Sequence, residues 1–194
     1  MIIQPDIPVI LASASPRRRE LLTTLGLQFK IIPAHINEAF YSNELPIKHV
    51  CRLAGEKGKN ISDEHPEAVV ISSDTIVVYQ NNILGKPADE DDAFRMLRFL
   101  SGNTHEVITA FSIICRKRNI NVLEYETTEV VFRNLSDEDI RSYIAGGSPM
   151  DKAGAYGIQD LDANFVKKIK GCFYNVIGFP IAAFTEKWNV LFSN

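Results

Sequence analysis

Cysteine, histidine and net charge are all scarce in this chain, and each scarcity closes a class of function. Its three cysteines, Cys51, Cys115 and Cys172, are odd in number, widely spaced and without a CxxC pair. That argues against a disulfide framework and against a thiolate zinc site, and the three read as reduced core thiols. His35, His49 and His65 stand at no metal-ligand spacing, and His105 reads as a structural polar residue at a strand entrance rather than a base. A formal net charge of -3 speaks against a nucleic-acid partner held by broad phosphate neutralisation, but leaves room for a small anion in a local basic pocket. No apolar run approaches the roughly 20 residues of a membrane-spanning helix. The first residues, MIIQPDIPVI, lack the basic stretch of a signal peptide. No membrane partner is expected, and the cytoplasm is the expected compartment.

What is present suits a folded enzyme-sized unit. With 45% hydrophobic residues the chain can bury a sizeable core, and residues 1–194 are read as a single domain, which two lobes could build. The pattern predicts strands over Ile7 to Ala12 and Lys30 to Pro33, and a helix from Ser15-Pro16 to about Gly26. His35 to Pro46 reads as a loop, and Ile47 to Ile61 as a helix. Ala68 to Tyr79 reads as a strand interrupted at Ser72, Ser73 and Asp74. An Asn81-Asn82 turn follows, then a helix over Asp89 to Leu100 that opens with four acidic residues. Val107 to Arg116 and Val122 to Phe132 form a hairpin. A helix from Ser136 to Gly146-Gly147, a strand near Phe165 to Ile169 and a last helix over Pro180 to Phe192 complete an α/β chain with a mixed sheet.

Two segments carry chemistry that folding alone does not ask for. Ser13-Ala14-Ser15-Pro16-Arg17-Arg18-Arg19 places three cations in the first turn of a helix, against its dipole, at about 0.3–1 kcal/mol each when exposed. Free helix N–H groups, the hydroxyls of Ser13 and Ser15, and converging Arg17 and Arg18 suit phosphate oxygens; solvated surface arginines are the plainer reading. Ser73-Asp74-Thr75 puts a carboxylate inside an apolar strand pattern, where it needs a partner or a metal. Asp74 could hold a divalent ion or take a proton from an attacking water, or simply cap a strand end. Lys86, in Gly85-Lys86-Pro87, is able to reach a phosphate or to stay on the surface. Glu38 and Lys57 read as surface charges. In Asp151 to Gln159 (DKAGAYGIQ), small residues let backbone approach a ligand and the Gln159 amide can read a base edge; ordinary loop glycines are the alternative. The stretch matches neither a phosphate-binding P-loop nor the dinucleotide glycine pattern.

Taken in order, LASASPRRRELL, SSDTIVV, LGKP, LSGNTHEVITAF, DKAGAYGIQ and NVIGFP, which together run from Leu11 to Pro180, resemble the Maf family of nucleotide pyrophosphatases. The resemblance implies a mixed twisted sheet flanked by helices in an elongated, two-lobed architecture with a central cleft. It also implies a divalent cofactor, Mg²⁺ or Mn²⁺, and hydrolysis of a nucleoside triphosphate between its α- and β-phosphates. By resemblance Asp74 is the proton acceptor, Glu38, Lys57 and Lys86 share its catalytic setting, and Asp74 and Glu38 are the metal ligands. Arg17, Thr75 and Gln159 mark the branch acting on dTTP and UTP, with modified pyrimidine nucleotides as further substrates; Ser13, Ser15 and Arg18 complete the substrate-binding set. A homodimer is the candidate assembly. Two departures stand out: Asn37-Glu38 replaces an acidic pair, and Asp160-Leu161-Asp162 follows Gln159 where small residues are expected. A nucleotide-binding regulator of septum formation without turnover, and a pyrophosphatase acting mainly on modified bases, are the competing functions.

Overall fold

A computed structural model describes residues 2–147, 149–160 and 164–193. Seven strands form one mixed sheet in the order β2-β1-β3-β5-β6-β7, with β4 paired to β3. The strands are β1 (Val9–Leu11), β2 (Lys30–Ile31), β3 (Val69–Tyr79), β4 (Asn82–Leu84), β5 (Thr104–Cys115), β6 (Ile120–Phe132) and β7 (Val166–Lys170). The helices are α1 (Pro16–Thr24), α2 (Pro46–Glu64), α3 (Glu90–Leu100), α4 (Asp137–Ala145), α5 (Phe173–Ile177) and α6 (Ile181–Phe192). The α/β class with a mixed sheet is therefore as expected. The chain divides into two compact units, the first made of Met1–Asp74, Thr109–Glu126 and Gly178–Asn194, the second of Thr75–Ile108 and Thr127–Ile177.

In the first unit β1 pairs in parallel with both β2 and β3, matching Ile10 to Lys30 and to Val70. Parallel strands are covered on both faces and read as apolar runs, and Val9, Ile10 and Leu11 are all buried. Ser15 caps α1 by accepting from the Arg18 amide, Pro16 supplies its first turn, and Gly26 at φ +85° takes the left-handed position just past its end, as glycine allows. On α6, Phe184, Trp188 and Phe192 recur at helical spacing and are buried. Their rings meet in series, tilted, with centres 5.2 and 4.6 Å apart.

In the second unit β4 turns back against β3, pairing Val78 with Ile83, and β7 runs antiparallel to β6. The turn into β4 falls on Gln80 and Asn81, both at positive φ, one residue earlier than expected. Asp89 caps α3 and three acidic residues fill its first turn, while Ser136 and Asp139 form a capping box on α4. Leu97, Leu100, Val107, Val130, Phe132, Ile140, Ile144 and Phe165 form this unit's core.

Strand β3 is not interrupted at Ser72 to Asp74 but runs unbroken for 11 residues. The short helix α5 was not foreseen. Leu161 and Asp162, which belong to the departure after Gln159, lie outside the described residues.

Candidate functional site

The unbroken course of β3 follows from how Ser72 and Asp74 are satisfied. Side chains alternate along a strand, so Ser72 and Asp74 share one face, and each finds a partner there. The Ser72 hydroxyl donates to the Ala54 carbonyl at 2.6 Å and lies 2.6 Å from the Ser112 hydroxyl. Helix α2 can approach this closely because position 58 is glycine: a Cβ there would meet Ser72 Oγ at 2.8 Å and clash with Ser112 Oγ.

One residue before Gly58 stands Lys57. Its ammonium donates to Asp74 Oδ1 at 2.7 Å, both side chains being only 11% exposed. The surface reading of Lys57 is therefore wrong: the residue is buried and neutralises a buried carboxylate. The strand-end capping role for Asp74 falls as well, because Asp74 lies in mid-strand. Lys57 Nζ also meets Glu38 Oε1 at 2.9 Å, so two carboxylates converge on one ammonium. Glu38 itself remains 54% exposed.

At the start of α1 Arg18 turns inward, whereas Ala14, Pro16 and Arg19 are exposed. Arg18 donates from Nε to the Gly178 carbonyl at 3.1 Å, and from Nη1 to the Ser73 carbonyl at 2.8 Å and Ser13 Oγ at 3.3 Å. It thus ties the end of β1, the residue before Asp74 and the entry to α6 to one cation. Burial pushes the Arg18 guanidinium down from its ordinary value and the Asp74 carboxylate partly offsets this; a guanidinium stays charged even so. Ser13 Oγ accepts from the Ser15 amide at 3.2 Å. Arg17 is half-buried on the same turn. Ser13, Arg18, Glu38, Lys57 and Asp74 are thus linked within the first unit, with Ser15 one bond further out.

The remaining residues belong to the second unit. Thr75 follows Asp74 on β3 and is half-buried; Lys86 is exposed beside a buried Pro87. Gln159 is exposed on a turn whose backbone is fixed from beneath. Tyr143 Oη accepts from the Gly157 amide at 3.1 Å and donates to Asp160, and Gly154 donates to the Gly85 carbonyl at 2.9 Å. His105 is buried, its Nε2 2.8 Å from Tyr156 Oη, which agrees with a structural role. Burial lowers its pKa to about 4 and raises that of Tyr156. Sequence reasoning missed Gly58 and Ser112, and read Ser72 only as part of a break in the strand. A glycine on the helix face that carries Val50, Leu53, Ala54 and Ile61 was the available signal.

Among the described residues no three His, Cys, Asp or Glu side chains group as a metal site. Asp74 and Glu38 nonetheless fit Mg²⁺ or Mn²⁺. Such ions are bound through one or two carboxylates plus substrate phosphates, and these two oxygens already converge on a cation, the Lys57 ammonium.

A mixed-sheet α/β protein with serine hydroxyls and an inward-turned arginine at a helix start thus carries hydrogen-bond donors next to a buried carboxylate–ammonium pair. The chain belongs to the Maf family: residues 8–189 match it, under the description Maf-like protein. A dTTP/UTP pyrophosphatase of Syntrophomonas wolfei is 49% identical over 172 residues, covering 89% of this chain and 91% of that protein. Proteins of the same name from Desulfotalea psychrophila and a Geobacillus species are 46% and 49% identical. They cover 94% and 90% of this chain and 93% and 92% of their own lengths. A crystal structure of a Vibrio cholerae protein aligns with a TM-score of 0.35 and 10% identity over 76% of this chain and 79% of its own, too slight a likeness to bear on the fold. No described helix is long and apolar enough to cross a membrane.

Proposed function

We propose that this protein hydrolyses dTTP and UTP, and modified pyrimidine nucleotides of the same shape, to the monophosphate and pyrophosphate in the cytoplasm. The observation that carries the reading is the Asp74–Lys57 pair at 2.7 Å, joined through Ser73 to the Arg18 turn, in a chain of this family. The names of its relatives supply the substrate class.

Water adds to the α-phosphorus, the bond from that phosphorus to the oxygen bridging it to the β-phosphate breaks, and pyrophosphate leaves. Asp74 takes the proton that water gives up, a general-base role. The Lys57 ammonium holds that carboxylate in place before attack and can move its hydrogen bonds to a phosphate oxygen. A divalent ion on Asp74 and Glu38 would neutralise phosphate charge. Arg17, Ser13, Ser15 and Lys86 supply cations and donors for phosphate oxygens, with Arg18 holding the first of these segments in shape. Thr75 and Gln159, together with Arg17, select the base. A glutamine amide carries both a donor and an acceptor: with its NH₂ towards O4 and its carbonyl towards N3–H it matches thymine or uracil, and only the flipped amide would match cytosine.

The test is a panel of canonical and modified nucleoside triphosphates with Mg²⁺ or Mn²⁺, with and without chelator. Turnover of dTTP and UTP that chelation abolishes is expected. Tight nucleotide binding without turnover would instead favour a regulator.

A further inference from the structure

Glu38 stands on a loop that has little of its own to hold it. From Ile32 to Leu45 the chain forms neither helix nor strand, and Phe40 and Tyr41 remain 58% and 56% exposed. Ile32 and Ala34 pack against the core at its start, but residues 37–43 are all exposed, so apolar burial does not fix that stretch. One cation of α2 does. Arg52 donates from Nε to Glu44 Oε1 at 2.7 Å and from Nη2 to Glu44 Oε2 at 2.8 Å, the two-pronged geometry in which a guanidinium grips a carboxylate most firmly. The same Nη2 donates to the Ala39 carbonyl at 3.0 Å, and the guanidinium carbon lies 3.9 Å from the centre of the Tyr41 ring. His49 reinforces the grip, with Nδ1 2.9 Å from Glu44 Oε2 and its ring stacked on Phe40 at 4.4 Å.

Ala39 is the residue after Glu38. The Glu38 carboxylate meets Lys57 Nζ at 2.9 Å while 54% exposed, and an ion pair that open to water is too weak to set the course of a loop. We propose that Arg52 is a positioning residue: by clamping residues 39–44 it delivers the Glu38 carboxylate to Lys57 and Asp74, while touching no reacting group itself. The inference deepens the proposed function and rests on it.

The test compares dTTP hydrolysis by Arg52→Ala, Glu38→Gln and the double variant. Misplacing a catalytic group by about 1 Å can cost up to roughly 100-fold, so Arg52→Ala should lower kcat by about 10- to 100-fold with KM little changed. In the Glu38→Gln background the same change should cost less than about twofold, because there is no longer a carboxylate to place. Arg52→Lys keeps the charge but not the fork and should recover little. Equal losses in both backgrounds overturn the proposal. Hydrogen exchange supplies a readout that needs no turnover. Amides of residues 37–45 should exchange faster in Arg52→Ala, and not in Lys59→Ala, which removes an exposed cation of the same helix that pairs with Asp63. Unchanged exchange in Arg52→Ala overturns the clamp whatever the kinetics. If Arg52→Ala also loosens the α2 core amides, the comparison is made with Arg52→Lys. An inactive wild type with faster loop exchange in the variant would remove the proposed activity and retain the clamp.

Discussion

Replacing Lys57 with Met removes the ammonium that Asp74 Oδ1 accepts at 2.7 Å, where both side chains are 11% exposed. Breaking a buried pair from one side costs roughly 3–5 kcal/mol, because the charge left behind is neither solvated nor compensated. Arg18 stays close enough to interact with Asp74, which places the loss near the lower end, about 3 kcal/mol. For a chain of this length that is a fall in Tm of roughly 6–12 °C. Asp74→Asn should be milder, at about 1–2 kcal/mol, since Lys57 keeps Glu38 at 2.9 Å on the half-exposed side. The double variant, with no orphaned charge, should be more stable than the sum of the two losses implies. Urea denaturation of the four proteins at neutral pH, followed by circular dichroism, measures all three quantities. Asp74→Asn costing as much as Lys57→Met, or strictly additive losses, would show that the two do not act as a buried pair.

Gly58→Ala should destabilise by about 1–3 kcal/mol, as overpacking does, because the new methyl meets Ser72 Oγ at 2.8 Å and Ile114 Cδ1 at 3.0 Å; a variant as stable as wild type in the same urea titration would refute the close approach of α2. His105, with its pKa lowered to about 4 by burial, is neutral when folded but takes a proton near pH 6.5 when unfolded, so stability should fall as pH drops from about 6.5 towards 4. The loss should be roughly 2 kcal/mol at pH 5, and a slope across this window that is the same in His105→Gln would refute the assignment. Gln159→Ala should lower kcat/KM for UTP by roughly 10- to 100-fold and for CTP by less; an unchanged ratio of the two substrates would place base selection elsewhere.

The elements most legible in the sequence were those whose ends carry their own chemistry. Asp89 with its acidic successors, and Ser136 with Asp139, announced α3 and α4 because capping is local. Where the deciding partner lies far along the chain, local reading failed. Ser72 to Asp74 looked like a break in β3 because a polar run in an apolar strand is costly unless satisfied. The groups that satisfy Ser72 and Asp74, namely Ala54, Lys57 and Ser112, stand on another helix and another strand. Lys57 looked like a surface charge for the same reason, although it follows Val50, Leu53 and Ala54 on the buried face of α2. The three arginines were legible as a conflict with the helix dipole, but not that Arg18 would turn inward to two carbonyls.

The most direct measurement is of the products released from UTP and dTTP by the wild-type protein with Mg²⁺, resolved by phosphorus NMR during the initial rate. Monophosphate and pyrophosphate appearing in equal amounts, with Asp74→Asn slower by roughly 10²–10⁴, is the expected result. Diphosphate and orthophosphate as first products, or an Asp74→Asn protein that turns over like wild type, would contradict cleavage between the α- and β-phosphates with Asp74 as the base.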